Sequence, residues 1–217
     1  MTTSTLAKAP ASTTAGAALR TAVGGTASRP VASKITGRQT LLRSIAAEWL
    51  KFWTLRSTWV TSFVAVALIV LFSAGTAIGF AQSEKLHEVA NKDMITFGLI
   101  FGRIVVAVLG ALIITGEYAS GQIRSSLAAV PRRGRLLLSK AVVLSVVAFL
   151  LGSGSVLLSW AISKPFLGEH AGSLTDWDYS AYILGSGLDC MGIALMALGI
   201  GFLLRSTAGA ITVVVSL

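Results

Sequence analysis

The stretch WVTSFVAVALIVLFSAGTAIGFA, Trp59–Ala81, runs for 23 residues without an ionisable side chain. As a helix it reaches about 35 Å, enough to cross the roughly 30 Å hydrocarbon core of a bilayer with some tilt. Three further apolar runs have comparable length: Ile95–Thr115, interrupted by Arg103; Ala141–Ile162; and Ala181–Leu204, interrupted by Asp189. A fifth, TAGAITVVVSL, opens at Thr207 and reaches Leu217. Its reach of about 16 Å is roughly half a bilayer core, so it is read as the start of a helix in a chain incomplete at its C-terminus, the alternative being a last helix that stops inside the membrane. In lipid every backbone polar group must be satisfied within the segment, so runs of this length specify helices. The expected fold class is an all-α, polytopic membrane protein with four full transmembrane helices and the start of a fifth. Charged residues make up only 12% of the chain, against roughly 25% in an average soluble domain. That is too little to coat a water-exposed globule.

The net charge is +9. Nucleic-acid binding is one reading of so basic a chain, but no basic and aromatic binding pattern lies outside the spans, so no nucleic-acid partner is expected. The distribution fits cytoplasmic loops better. Eight Lys and Arg precede the first span, five lie in 116–140, and Arg205 follows the fourth span. The segments 82–94 and 163–180 hold only Lys85, Lys92 and Lys164, outnumbered by acids. Strict alternation therefore places the N-terminus, 116–140 and Arg205 inside, and the other two loops outside.

Three regions are expected. Residues 1–39 are rich in Ala, Thr, Ser and Gly, lack apolar periodicity and hold no acid. They are read as a disordered tail, with a transit peptide as the alternative. Residues 40–57, TLLRSIAAEWLKFWTLRS, place Leu42, Ile45, Trp49, Phe52 and Trp53 at helical spacing, with Arg43, Ala47, Glu48 and Lys51 mostly on other sides. This is an amphipathic helix suited to the headgroup layer, with Trp49 and Trp53 as interfacial anchors. The alternative is that it simply extends the first span. Residues 58–217 form the transmembrane domain.

Enzymatic constellations are missing from the sequence. No G-x-x-x-x-G-K-[ST] phosphate loop occurs, so ATP is not bound in that way. His87 and His170 have no metal-site spacing, and no cofactor is implied. The lone Cys190 lies in an apolar run and is expected to be a packing residue. GTAIG at 75–79, GLIFG at 98–102 and GSGS at 152–155 are read as close helix-packing patches. Arg103 and Asp189 each lie eight residues into spans that enter from the same side. Charges inside a membrane need a partner or water. Their common depth, about 12 Å in, allows them to pair; the alternative is that each snorkels alone.

The segment GEYASGQIRSSLAAVPRRGRLLLSK, 116–140, interrupts the apolar sequence. Ile123, Leu127 and Val130 form one apolar face, flanked by Gln122, Arg124 and Ser125. Glu117 is expected near the start of this helix, where it suits the positive dipole end, and Pro131 is expected to stop it. Such a helix can lie on lipid or dock in a groove of a partner.

This loop resembles the first cytoplasmic loop of type-2 ATP-binding-cassette exporter permeases. In that family an acid, a Gly, a Leu, a Pro and a closing Lys recur in this order, here Glu117, Gly121, Leu127, Pro131 and Lys140. AAEWLKFWTLRSTWV is similar to the family's elbow helix and the lead into its first span, especially in actinobacterial members. LGIGFLLRSTAGAI at 198–211 is similar to the connection between its fourth and fifth spans. The resemblance covers roughly 40–217. It implies that 116–140 contains a coupling helix, with Glu117, Gly121, Ile123, Leu127, Pro131 and Lys140 coupling to a separate ATPase subunit. It implies a multi-pass subunit in a bacterial plasma membrane, in contact with lipid and paired with a second permease copy as a homodimer or heterodimer. The expected function is the non-enzymatic permease of an exporter. The competing readings are a non-transporting membrane scaffold or sensor whose basic loop binds lipid or a partner, and an ion channel. The channel is disfavoured because no ring-forming polar filter is evident.

Overall fold

The computed structural model describes residues 40–81, 91–129, 133–168 and 172–216. The chain divides into two units, Met1–Arg38 and Gln39–Leu217. The first lies outside the described residues, as does the tail expected over 1–39, and everything below concerns the second. Its helices are α1 (Leu41–Thr54), α2 (Arg56–Ala81), α3 (Asn91–Thr96), α4 (Leu99–Ala119), α5 (Gln122–Ala129), α6 (Arg133–Leu167), α7 (Trp177–Leu204) and α8 (Thr207–Ser216). The described residues contain no strand. Four segments are long and apolar enough to cross a membrane: Arg56–Ala81, Asp93–Ala119, Gly134–Leu167 and Trp177–Leu204. The chain is thus an all-α, polytopic membrane protein.

Lipid tails are as apolar as leucine, so burial alone does not hold such helices together; close approach and hydrogen bonds do. α2 is apolar nearly all round, and its buried side is chosen by size: Ala65, Ile69, Ser73 and Ala77 recur at every fourth position. Gly98, just before α4, and Gly102 on α4 face it. A Cβ at Gly98 would run into the Ile69 carbonyl, and one at Gly102 into the Ile69 side chain. The α4–α7 contact is made in the same way where Gly110 meets the Ala194 backbone. The α6–α7 contact closes at Gly152 on the Ser186 carbonyl and at Gly187 on Phe149. Leu144, Val156, Cys190 and Leu198 fill the core between these contacts. On the outside Phe63, Leu71, Leu150, Leu188 and Leu203 are exposed, a surface suited to lipid. The packing role expected of GTAIG at 75–79 is not found among the described residues, since a Cβ at Gly75 or Gly79 meets nothing within 4 Å.

Three boundaries differ from the hydropathy reading. The second span is not continuous from Ile95: the chain turns at Phe97–Gly98 between α3 and α4. There the Gly98 amide donates to Ser73 Oγ at 2.9 Å, and Thr76 Oγ1 donates to the Met94 carbonyl at 3.1 Å. The helix that carries the third span begins not near Ala141 but at Arg133, and has 35 residues. That is about 52 Å long, well beyond a hydrocarbon core. α4 likewise continues past Thr115 to Ala119 and so carries Glu117 inside it.

Candidate functional site

The ends of α4 and α6 and the inner side of α1 meet at a cluster of four charges. α1 is amphipathic, but its ionisable residues do not all face water. Ser44 is buried, and Glu48 and Lys51, which share its side of the helix, are partly buried against the bundle. Leu42, Trp49, Leu50 and Trp53 face outward and are exposed. Glu48 and Lys51 lie on a side other than the aromatic one, as expected, and that charged side is the one that binds the bundle. Trp53 packs edge-to-face on Trp59, with ring centroids 4.8 Å apart, and Trp59 Nε1 donates to the Trp53 carbonyl at 3.0 Å. These contacts fix the bend from α1 into α2.

Lys140 is 2% exposed and Glu117 3%. Lys140 Nζ donates to Glu117 Oε1 at 2.8 Å and to Glu48 Oε2 at 2.7 Å. Lys51 Nζ donates to the same Glu117 Oε1. Two carboxylates and two ammonium groups thus balance, as groups this deep must. Glu117 is not at the start of the loop helix, where a carboxylate would suit the dipole. It sits in the last turn of α4, the negative end, and the two lysines offset that placement. Sequence reasoning missed Glu48 and Lys51 as site residues. The available signal was their common helix side with Ser44.

α5 hangs from this cluster. Ser120 closes α4 by donating its amide to the Gly116 carbonyl, and Gly121 follows with φ 71°. A glycine holds that left-handed conformation without a Cβ clash, so the chain turns directly into α5. Ile123 packs inward on the bundle core, whereas Gln122, Arg124, Ser125 and Ala128 are exposed. Of the apolar face expected at Ile123, Leu127 and Val130, Ile123 is partly buried against the bundle core. The Leu127 side chain, Val130 and Pro131 lie outside the described residues, as do His87 and His170.

The same end of α4 also receives α7 and α8. Arg205, between them, adopts φ 52° and places its guanidinium 5.7 Å from the Tyr118 ring centroid. Thr207 Oγ1 bonds Thr115 Oγ1 at 2.8 Å. Toward the opposite end of the spans, Arg103 Nε donates to Asp189 Oδ2 at 2.8 Å, with side chains 49% and 33% exposed. This pair joins α4 to α7 on the bundle surface and is separate from the four-charge cluster.

Among the described residues no group of three or more His, Cys, Asp or Glu could hold a metal ion. The ion pairs tie α1, α4 and α6 together at one point. A family model described as ABC-2 family transporter protein matches residues 44–216. Neither the curated proteins nor the solved structures return a match. The match spans α1 through α8, nearly all the described helices, and the chain belongs to the ABC-2 transporter family, as a membrane permease component of an ABC transporter in the plasma membrane.

Proposed function

We propose that this permease works in export, and that α5 is the coupling helix gripped by a separate ATPase subunit. In this reading the N-terminus, 116–140 and Arg205 are cytoplasmic, and two permease copies assemble with two ATPase copies. The observation that carries the reading is the convergence at the end of α4. Within three residues of one another, Thr115, Glu117 and Tyr118 hold α8, α6 and α1, and the α7–α8 turn. α5 follows immediately through Gly121. A displacement of α5 therefore acts at a point already bonded to four other elements. ATP is hydrolysed by the partner, and this chain carries the motion.

Ile123 faces inward, so the ATPase would read the exposed side, Arg124 and Ala128 above all. Arg124→Glu with Ala128→Trp is expected to leave abundance and monodispersity unchanged and to abolish co-purification of the ATPase. Ile123→Ala is expected to retain the ATPase at first but to lower stability by about 1–2 kcal/mol, a partial share of the cost at a fully buried site. Full ATPase retention by the double variant would refute the coupling role.

A further inference from the structure

A cavity of about 250 Å³ lies beside the four-charge cluster. Its inner end is apolar, closed by the buried Leu109 and Val143, with Phe52, Leu112 and Ile113 along its walls. Its rim, at Leu55, Ser57, Ser120 and Gln122, is exposed. Glu117 lines it as well. Both lysines bind Glu117 Oε1, while Oε2 is buried with no hydrogen-bond partner among the described residues. A buried acceptor left bare carries a full desolvation penalty, so this atom calls for a donor from the cavity. Gly116, one residue earlier, also lines the space, and a Cβ there would meet nothing within 4 Å.

We propose that this cavity binds a neutral, single-chain lipid through a hydroxyl head that donates to Glu117 Oε2, with the chain along Phe52, Leu112 and Ile113. Charge selects the head. Glu48 and Glu117 are balanced by Lys51 and Lys140. A carboxylate head would meet Glu117 as a like charge, and an ammonium head would stand beside two lysines. A hydroxyl donates and adds no charge. Size selects the tail. The volume is below the roughly 300–1,000 Å³ of pockets for drug-sized ligands, enough for part of one chain and too little for two. The membrane supplies the ligand, since α1, which forms one wall, turns Trp49 and Trp53 outward as a headgroup-layer helix does. The site lies between α1 and the head of α5. It requires only this chain, so its test does not depend on transport or on an ATPase.

The full chain is placed in phosphatidylcholine nanodiscs with a monoacylglycerol bearing a diazirine on its acyl chain, irradiated, and the labelled peptides are mapped by mass spectrometry. Labels are expected to concentrate on 109–117 and 52–61. Unlabelled monoolein is expected to compete about tenfold better than its di-O-methyl ether, which keeps the chain and loses the donor. Gly116→Leu, which fills the cavity, is expected to reduce labelling about tenfold. Leu112→Trp is a second filler if the first does not fold. Equal competition by the ether would overturn the proposal, as would better competition by oleylamine. So would labelling spread evenly over the lipid-facing Phe63, Leu71 and Leu150, or wild-type labelling in the folded fillers.

Discussion

Replacing Lys140 by Met removes the group that, among the described residues, bonds both carboxylates of the cluster. Lys140 is 2% exposed and donates to Glu117 at 2.8 Å and Glu48 at 2.7 Å. Removing one partner of a buried pair typically costs 3–5 kcal/mol, because the other charge stays buried. Here the loss is moderated from two sides. Glu117 keeps Lys51, and the Glu48 side chain, 14% exposed, can recruit water. The expected cost is therefore at the lower end, about 3 kcal/mol. On the globular-protein scale of roughly 2–4 °C per kcal/mol for a chain of this size, Tm falls by about 6–12 °C. Lys140→Met with Glu117→Leu removes the buried charge as well as its partner and should recover about half of the loss or more. Lys51→Met alone should cost about 1 kcal/mol, since its side chain is 30% exposed. The assay is thermal retention of the monodisperse peak in detergent, read for the single variants and the double. Wild-type Tm in Lys140→Met would show that the network contributes nothing to the fold, and strictly additive losses in the double would show that the two charges do not interact.

Other perturbations separate the remaining claims. Arg103→Leu and Asp189→Leu test where the second ion pair sits. In water a pair as exposed as this is worth less than about 1 kcal/mol, whereas an unpaired charge at hydrocarbon depth costs roughly 2.5–3.5 kcal/mol. A coupling energy of about 2 kcal/mol or more in a double-mutant cycle of thermal stability is expected, and one below 0.5 kcal/mol would place the pair in water. Orientation is checked by Ser173→Cys and Ser125→Cys with an impermeant thiol reagent on intact cells, with the buried Cys190 as a silent background. Only Ser173→Cys should react, and labelling at Ser125→Cys from outside would invert the topology. Gly110→Ala, forced against the Ala194 backbone, should lose about 1–3 kcal/mol. Gly79→Ala, with open space around it, should be neutral or gain about 0.5–1 kcal/mol. Equal losses at the two glycines would remove close approach as the basis of the α4–α7 contact.

The spans were legible because their signal is one-dimensional: a run of apolar residues is long enough or it is not. Their ends were not. Hydropathy treats a charge as a boundary, which cut the second span at Thr115 and the third at Ala141. Glu117 and Lys140 neutralise each other at 2.8 Å, so both stay inside helices that continue past them. That cancellation joins residues 23 apart in sequence, and Glu48 and Lys51 join from 92 and 66 residues away. No local pattern encodes it. Arg103 and Asp189 sit 86 residues apart, yet depth along two spans is countable, and the count placed them at the same level. The turn at Phe97–Gly98 was hidden for another reason. Glycine is frequent in membrane helices, and what marks this one as a break, the Ser73 and Thr76 hydroxyls that bond the turn, lies on a different helix.

The choice of charge to hold α1 follows from its surroundings. Its outward face, Leu42, Trp49, Leu50 and Trp53, is as well accommodated by headgroups and lipid whether or not α1 touches the bundle. Apolar contact with the other helices gains little over contact with lipid, so it cannot fix where α1 lies. Ion pairs can, because the partners of Glu48 and Lys51 among the described residues lie at one place. The anchor is also shared: Lys51 and Lys140 meet on one oxygen of Glu117, four residues before the Gly121 turn into α5. Hydrogen bonds between charged groups are held within a few tenths of an ångström, so a shift of the α4 end by one bond length would release α1 and α6 together. In the proposed mechanism a pull on α5 is then felt at the membrane surface through α1 and inside the bundle through α6, from a single carboxylate. An apolar joint in the same position would slide instead of releasing.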